Sequence, residues 1–547
     1  MDPQLFRTKS IDQLISDADR PEKRLKKSLG WLSLTALGIG AIIGSGIFVL
    51  TGTAAAGESV EFPSIFKAPL LDVLMHGRHA LGISGRPGAG PAIAISFFMV
   101  AVVCGLAGLC YAELASMIPI AGSAYTYTYA TMGELVAWII GWDLILEYAV
   151  SNMAVAVGFS AYINSLLDSF GMHIPDWLST PAYSPETGWA AHFNIMGFVI
   201  VMILTVLLVV GIRESSGANN LMVGIKLLAI VVFCIAASKY IHPSNWKPFA
   251  PNGFQGVLTG GAIVFFTYIG FDSVSTAAEE CKNPKRDLPI GILISLFVCS
   301  FFYVAVALVL TGIQHWSTLD NAAPVAHALE AIGLNGVNRW VTAGALMGMI
   351  SSILVFQLGQ ARVWFAMSRD GLLPGAFSRV HKRFRTPDVA TWVAGVVVAI
   401  PAGIFDIGTL ADLSNIGTLF AFILVSIAVL ILRKRQPERS RGFRVPWNPW
   451  IPIASVVFCF VLMASLTVEN WLRFFVWLVI GLVVYHFYGR KHSGLATGKL
   501  QAAGAEDGVL WCAAECVEEL TPGWRRSCWR CWWCRPHLSA GERMPSG

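Results

Sequence analysis

Charge is scarce in this chain. Asp, Glu, Lys and Arg make up 13% of its 547 residues against 55% apolar, whereas soluble domains carry about 25% charged residues. Too little charge remains to clothe a water-exposed surface, so a soluble globular protein is excluded and an integral membrane protein is expected. Histidine is sparse as well: the 11 histidines fall mostly outside the apolar runs. No His, Asp or Cys cluster stands at catalytic spacing, which argues against a membrane enzyme. No run carries the continuous polar stripe that a channel would need. A cleaved secretory signal is not expected either, because the first apolar run lacks a small-residue cleavage site and further runs follow it.

What the chain has in quantity is apolar length. Runs able to cross about 30 Å of hydrocarbon lie at roughly 32–50, 92–118, 135–162, 193–211, 218–240, 254–278, 290–312, 340–367, 390–405, 410–432, 451–467 and 471–488. With the N-terminus inside, basic residues gather in alternate connections: Lys23 to Lys27, Arg213, Lys282 to Arg286, Lys382 to Arg385, Arg433 to Arg444, and Arg490 with Lys491. The other loops are poor in them, as the positive-inside rule requires. The net charge of +5 therefore reflects topology and not nucleic-acid binding. Both termini are expected to be cytoplasmic in a multi-pass protein of the plasma membrane, the bacterial inner membrane.

Loop lengths divide the chain into a cytoplasmic N-terminal segment 1–30, a five-span half over 31–240, a second over 254–432, two further spans within 433–492, and a cytoplasmic tail 493–547. Five spans per half start the second half on the opposite side. The expected fold is an all-α integral membrane protein of twelve transmembrane helices, a five-plus-five inverted repeat followed by two C-terminal helices.

The first and sixth spans are interrupted. One reads Gly38-Ile39-Gly40-Ala41-Ile42-Ile43-Gly44-Ser45-Gly46-Ile47-Phe48 and the other Phe265-Phe266-Thr267-Tyr268-Ile269-Gly270-Phe271-Asp272-Ser273. Hydrocarbon offers no partner for a freed backbone group, so such breaks point to helices that unwind beside a polar cavity. Matching breaks in two halves are the sequence mark of a secondary transporter's binding site. Close helix crossing through Gly40-x-x-x-Gly44 would explain the glycines equally well.

Several segments in order carry a family likeness. They are Gly40 to Phe48; Tyr111-Ala112-Glu113-Leu114 with Pro119; Gly122 to Tyr127; Gly270-Phe271-Asp272 with Glu279-Glu280 and Asn283-Pro284; Phe356 to Arg362; Met367 to Gly371; and Phe443 to Trp447 with Asn470 to Phe474. Over about residues 10–57 and 90–492 the chain resembles the amino acid–polyamine–organocation transporters, most closely the bacterial members of the cationic amino acid transporter family. The resemblance implies an amino acid permease working by alternating access without covalent chemistry or cofactor. Its partners would be an amino acid, protons and the lipid bilayer. An exchanger, a polyamine or cationic amino acid antiporter, and a transporter-like sensor are the other readings.

A zwitterion needs donors for its carboxylate and acceptors for its ammonium. A half-helix N-terminus at the first break suits a carboxylate, and carbonyls freed after Phe266 suit an ammonium. By resemblance, Ile42 and the backbone of Phe266, Thr267 and Ile269 line the amine side. Gly44, Ser45 and Gly46 line the carboxylate side, Ile43 is a further substrate-binding candidate, and the Phe266 ring covers the ligand.

Lys226 lies more than a turn inside the fifth span. An ammonium at that depth is costly and generally functional, although snorkelling to the membrane face is the alternative. By resemblance it occupies the place where sodium-coupled relatives hold a cation, touching the first break and the eighth span, where Ser351 and Ser352 are candidates. It would then carry the coupled proton. Glu113, Glu134, Glu147 and Asp272 are candidate pathway or gate residues, and Asp143 lies four before Glu147 on one face of span three. Glu134 matches a position that serves basic substrates in eukaryotic members, but it also starts a helix, where a carboxylate stabilises the dipole. Arg362 and Arg369 read as gate or interface charges. No acid stands among the pocket residues, so broad specificity with neutral substrates included is expected.

Two stretches depart from the family. About thirty residues intervene at 58–90, with Pro63, His76, His79 and Pro87, either a lid or a sequence error. The tail carries Cys512, Cys516, Cys528, Cys531 and Cys534 among tryptophans. Zinc is conceivable at that spacing, but the segment lacks periodicity and follows a complete set of spans, so a frameshifted or disordered end is favoured and no metal site is expected.

Overall fold

The computed structural model describes residues 7–18, 27, 29–57, 87–184, 188–210, 215–381, 383–384, 386–466, 468–495 and 497. Most of the insertion (58–86, with Pro63, His76 and His79) and all five tail cysteines lie outside the described residues. Gly57 and Pro87, which flank the insertion, sit side by side in an antiparallel bridge.

The described chain is helical apart from one two-residue hairpin, Tyr183–Ser184 with Gly188–Trp189. The helices used below are α1 (Ile11–Ala18), α2 (Trp31–Ile42), α3 (Thr51–Ala56), α4 (Ile93–Met117), α5 (Ala124–Thr131), α6 (Glu134–Asp168), α7 (Ile195–Val210), α8 (Ser215–Ser238), α9 (Gly253–Val264), α10 (Ser273–Thr276), α11 (Pro284–Ile313), α12 (Asn335–Arg369), α13 (Asp388–Ile404), α14 (Ile407–Arg435), α15 (Trp450–Ser465) and α16 (Val468–Val484). Among the described residues eight helices are long and apolar enough to cross a membrane. A ninth candidate is the pair Trp31–Ile42 and Gly46–Ala56, bent by 41°, and α7, α13 and α15 are shorter apolar helices. Local sequence sets the ends. Pro284 opens α11, where its missing N–H costs nothing, and Gly57 closes α3 at φ 87°.

Packing falls into two groups. α11 lies along α4 and α2, and α9 joins them through α4; α6 lies along α12, and α7 pairs with α13. α8 touches both α12 and α2, while α14 runs along α6 and also reaches α4. Large aromatics such as Phe254, Phe297, Phe301 and Phe487 are exposed, whereas Tyr111, Tyr127, Tyr148, Tyr268 and Tyr303 are fully buried inside.

α16 is fastened to α6 by tryptophans. The Trp142 indole N–H donates to Trp477 O (3.0 Å), Trp477 donates back to Trp142 O (3.1 Å), and Trp138 donates to Gly481 O (2.8 Å). Each large ring is thus packed without stranding its N–H.

The connection after α14 is held by Glu113 at the end of α4. Its carboxylate accepts from Arg433 Nε (2.7 Å) and Nη2 (2.6 Å) and from the Val445 N–H (2.7 Å), with Arg441 Nε 3.1 Å away. Glu113 and the Arg441 side chain are both buried. Breaking a buried pair from one side leaves the other charge stranded, at about 3–5 kcal/mol. Glu113→Ala should therefore lower the melting temperature in detergent markedly, with Glu113→Gln losing less. An unchanged melting temperature for Glu113→Ala would mean that the loop is held by other contacts.

Candidate functional site

Each break follows from its glycines. At the first, α2 ends at Ile42, Ile43 turns out of helical geometry at φ −81°, ψ 87°, and the chain resumes at Gly46 in a single π-helical turn to Leu50. At the second, Phe265–Tyr268 is a 3₁₀ turn, Ile269 is extended, and Gly270 takes φ 119°, a conformation that a side chain would strain.

The two breaks lie against each other. A Cβ on Gly46 would stand 2.9 Å from Thr267 Cα, and one on Gly270 would stand 2.7 Å from Ala41 Cβ. Gly44 faces Ser352 and Val155, and Ser45 packs against Gly158 of α6. The Ser45 hydroxyl is buried with no hydrogen bond. Phe266 is buried, and the Thr267 hydroxyl donates to Val264 O (2.7 Å), so Thr267 contributes backbone more than side chain.

The carbonyls released at the first break are claimed by three helices. Lys226 of α8, fully buried, donates from Nζ to Gly40 O and Ile43 O, each at 2.9 Å. Its ammonium points inward to the break and not to the membrane face. Ser352 of α12 donates to the same two carbonyls at 2.6 and 3.1 Å. Ser351 instead donates to Asn219 Oδ1 (2.8 Å), beside Gly40. The Tyr303 hydroxyl of α11 lies 2.7 Å from both Ile42 O and Thr267 O, bridging the breaks.

The acidic candidates divide. Glu134 accepts from Tyr129 (3.1 Å), Tyr485 (2.9 Å) and Ser493 (2.5 Å), fastening the end of the last helix to the start of α6. Glu113 holds the loop described above. Asp272 accepts from Tyr148 (2.6 Å) through Oδ2. Neither oxygen of Glu147 accepts a hydrogen bond, and Asp143 Oδ2 is likewise bare. Around the C-terminal end of α12, Arg362 pairs with Glu280 and Arg369 lies 3.7 Å from Glu279. Lys9, from the segment before α1, is buried there and donates to Asp370 (2.9 Å), which also accepts from Tyr125 (2.8 Å). Among the described residues no group of three or more His, Cys, Asp or Glu could hold a metal.

Sequence reasoning missed Tyr303, Asn219 and Lys9. Tyr303 carries only a faint signal, a tyrosine within an apolar span that also holds Ser295 and Ser300; Lys9 carries none.

Comparison with known proteins agrees with this architecture. Residues 29–485 match the family described as "Amino acid permease". The chain is 47% identical to the branched-chain amino acid permease BcaP of Bacillus subtilis, over 90% of this chain and 99% of that protein. It is 44% identical to the methylthioribose transporter of the same species, over 89% and 98%. It is 33% identical to the chloroplastic cationic amino acid transporter 9 of Arabidopsis thaliana, over 86% and 89%. These relatives are permeases and transporters, not enzymes. A helical membrane protein with paired helix breaks, matched across nearly its whole spanning region, belongs to the amino acid permease family of the amino acid–polyamine–organocation superfamily.

Proposed function

We propose that the chain is a secondary active permease for neutral amino acids, branched-chain ones included, coupled to protons and working by alternating access in a bacterial plasma membrane. The observation that carries this is the meeting of two unwound backbones, at Gly46–Thr267 and Ala41–Gly270, deep in a helical bundle. Unwound backbone there suits the carboxylate and ammonium shared by all amino acids. Ile42 to Gly46 and Phe266, Thr267 and Ile269 are the proposed substrate contacts.

Twelve spans are the natural count: eight long helices, one bent pair and three shorter apolar helices. The five-plus-five repeat gains support from contacts between equivalent spans: α4 with α11, α6 with α12, and α7 with α13. Its halves are 31–240 and 254–432, with 433–492 following. Charge placement puts the Lys9–Asp370 and Arg362–Glu280 ties on the cytoplasmic side, where they would close the pathway.

Neutral specificity is favoured because Glu134, the acid that the resemblance ties to basic substrates, is already engaged. Glu134 spends both oxygens on Tyr129, Tyr485 and Ser493, leaving none for a basic substrate. The name of the second relative supports a rival reading, transport of methylthioribose. That sugar has neither carboxylate nor ammonium, so it would leave the paired breaks unused. Uptake into proteoliposomes should show leucine, isoleucine and valine competing with labelled leucine, with arginine and methylthioribose inert. Displacement by methylthioribose alone would reverse the assignment.

At Gly46 a side chain would push against Thr267 backbone. Gly46→Val should reduce uptake at least about tenfold, an affinity cost of about 1.4 kcal/mol or more. Normal uptake by a well-folded Gly46→Val protein would remove this break from the site.

Lys226 is the proposed coupling residue. Deprotonation would weaken its hold on Gly40 O and Ile43 O and loosen α8 from the first break. Lys226→Ala should abolish accumulation against an imposed pH gradient, and Lys226→Arg, fixed in charge, should hold the transporter in one state. Accumulation by Lys226→Ala that rises with the gradient as steeply as the parent's would refute coupling through this residue.

A further inference from the structure

Basic side chains at one end of the bundle stand in two conditions. Along the connection from α14 to α15, Arg433 and Arg441 are held by Glu113, Arg439 reaches Asp12 (2.6 Å), and Arg435 donates to Thr131 O (2.9 Å). Arg444 has no such engagement. It is exposed, as are Lys282, Lys285 and Arg286 around the start of α11. Among the described residues none of these four side chains meets an acid or a hydrogen-bond partner. Asp287, the acid in the first turn of α11, is buried.

The path of the chain brings these cations together. The Phe443 N–H donates to Ser116 Oγ (3.1 Å) and the Val445 N–H to Glu113 (2.7 Å), so this stretch crosses the end of α4. Gly442 lies against α11: a Cβ there would stand 2.2 Å from Lys285 O and 2.7 Å from Lys285 Cβ. Like charges gathered in this way repel one another, and an anion from outside the chain would relieve them. Tryptophans mark the depth. Trp447 is 81% exposed, and Trp450, which opens α15, is 72% exposed. Trp447 also takes φ 45°, a left-handed conformation that a bulky side chain adopts only at a cost. At that exposure no interior packing accounts for it. Farther along α4, Phe98 and Val102 face outward, and a Cβ on Gly105 would meet nothing within 4 Å.

We propose that this patch binds the headgroup phosphate of an anionic glycerophospholipid. Lys285 and Arg444 pair with the phosphate oxygens, through charge-assisted hydrogen bonds of the kind that basic side chains make to phosphate. Trp447 and Trp450 lie at the level of the glycerol, where an amphipathic ring keeps its apolar body in the bilayer and its N–H in the headgroup layer. An acyl chain runs along Val102 and the open Gly105 of α4. Two features select a lipid over a soluble anion. Cations without acids call for a negative headgroup, and exposed tryptophans at the entrance of an apolar helix call for a membrane interface.

Native mass spectrometry of the purified full chain, titrated with phosphatidylglycerol or phosphatidylcholine, tests the site. Phosphatidylglycerol should be retained and phosphatidylcholine released. Lys285→Gln and Arg444→Gln should each weaken retention about fivefold, the worth of one basic residue at an anionic surface, and Arg444→Lys should weaken it less. Arg379→Gln, which removes an exposed base outside the patch, should retain the lipid as the parent does. Trp447→Gly, whose left-handed backbone glycine adopts freely, should also bind more weakly. In detergent, added phosphatidylglycerol should raise the melting temperature of the parent more than that of Arg444→Gln. Equal retention of the two lipids, the same loss in Arg379→Gln as in Arg444→Gln, unaltered binding by Trp447→Gly, or displacement of the lipid by excess inorganic phosphate would overturn the proposal.

Discussion

Everything in the interior turns on how the first helix break satisfies its carbonyls. In hydrocarbon a freed C=O has no water to turn to. Ile43 leaves helical geometry, and the Gly40, Ile42 and Ile43 carbonyls take side-chain donors, Ile42 O in addition to the Gly44 N–H. They find them on three different helices: Lys226 on α8, Ser352 on α12 and Tyr303 on α11. The break is therefore a junction at which three helices are pinned to one short stretch of backbone. A change in any donor alters the relation among all of them.

The second break is built differently. Ser273 donates to Gly270 O, Ser275 to Asp272 O and Thr276 to Ser273 O, each across three residues. Backbone turns from Phe266 to Ile269 and from Gly270 to Ser273 complete the local set. Its long-range ties are few: Tyr303 to Thr267 O, Tyr268 to Phe97 O and Tyr148 to the Asp272 carboxylate. The segment after Gly270 can hold its shape by itself, whereas the first break depends on its neighbours.

Much of this was legible from local signals. Low charge and long apolar runs announce a membrane protein, glycines halfway across a span announce a break, and an ammonium inside a span announces Lys226. What was not legible depends on contacts between residues far apart in the chain. Glu134 carries a clear local reading as a helix start, yet its partners include Tyr485 and Ser493, more than three hundred residues on. Ser351 and Ser352 are adjacent and equivalent in sequence, but one turn of helix phase sends Ser352 to the break and Ser351 to Asn219. Tyr303 and Lys9 matter only because of what the fold brings to them.

The acidic residues show how the same side chain serves opposite ends. A carboxylate met by arginine or by several hydroxyls is a fixed point, and removing its partners leaves a charge that the interior cannot bear. Glu113 and Glu134 are of this kind, and both fasten segments that follow α14 to the bundle. A carboxylate without such partners cannot act as a fastening at all, since nothing is held by it.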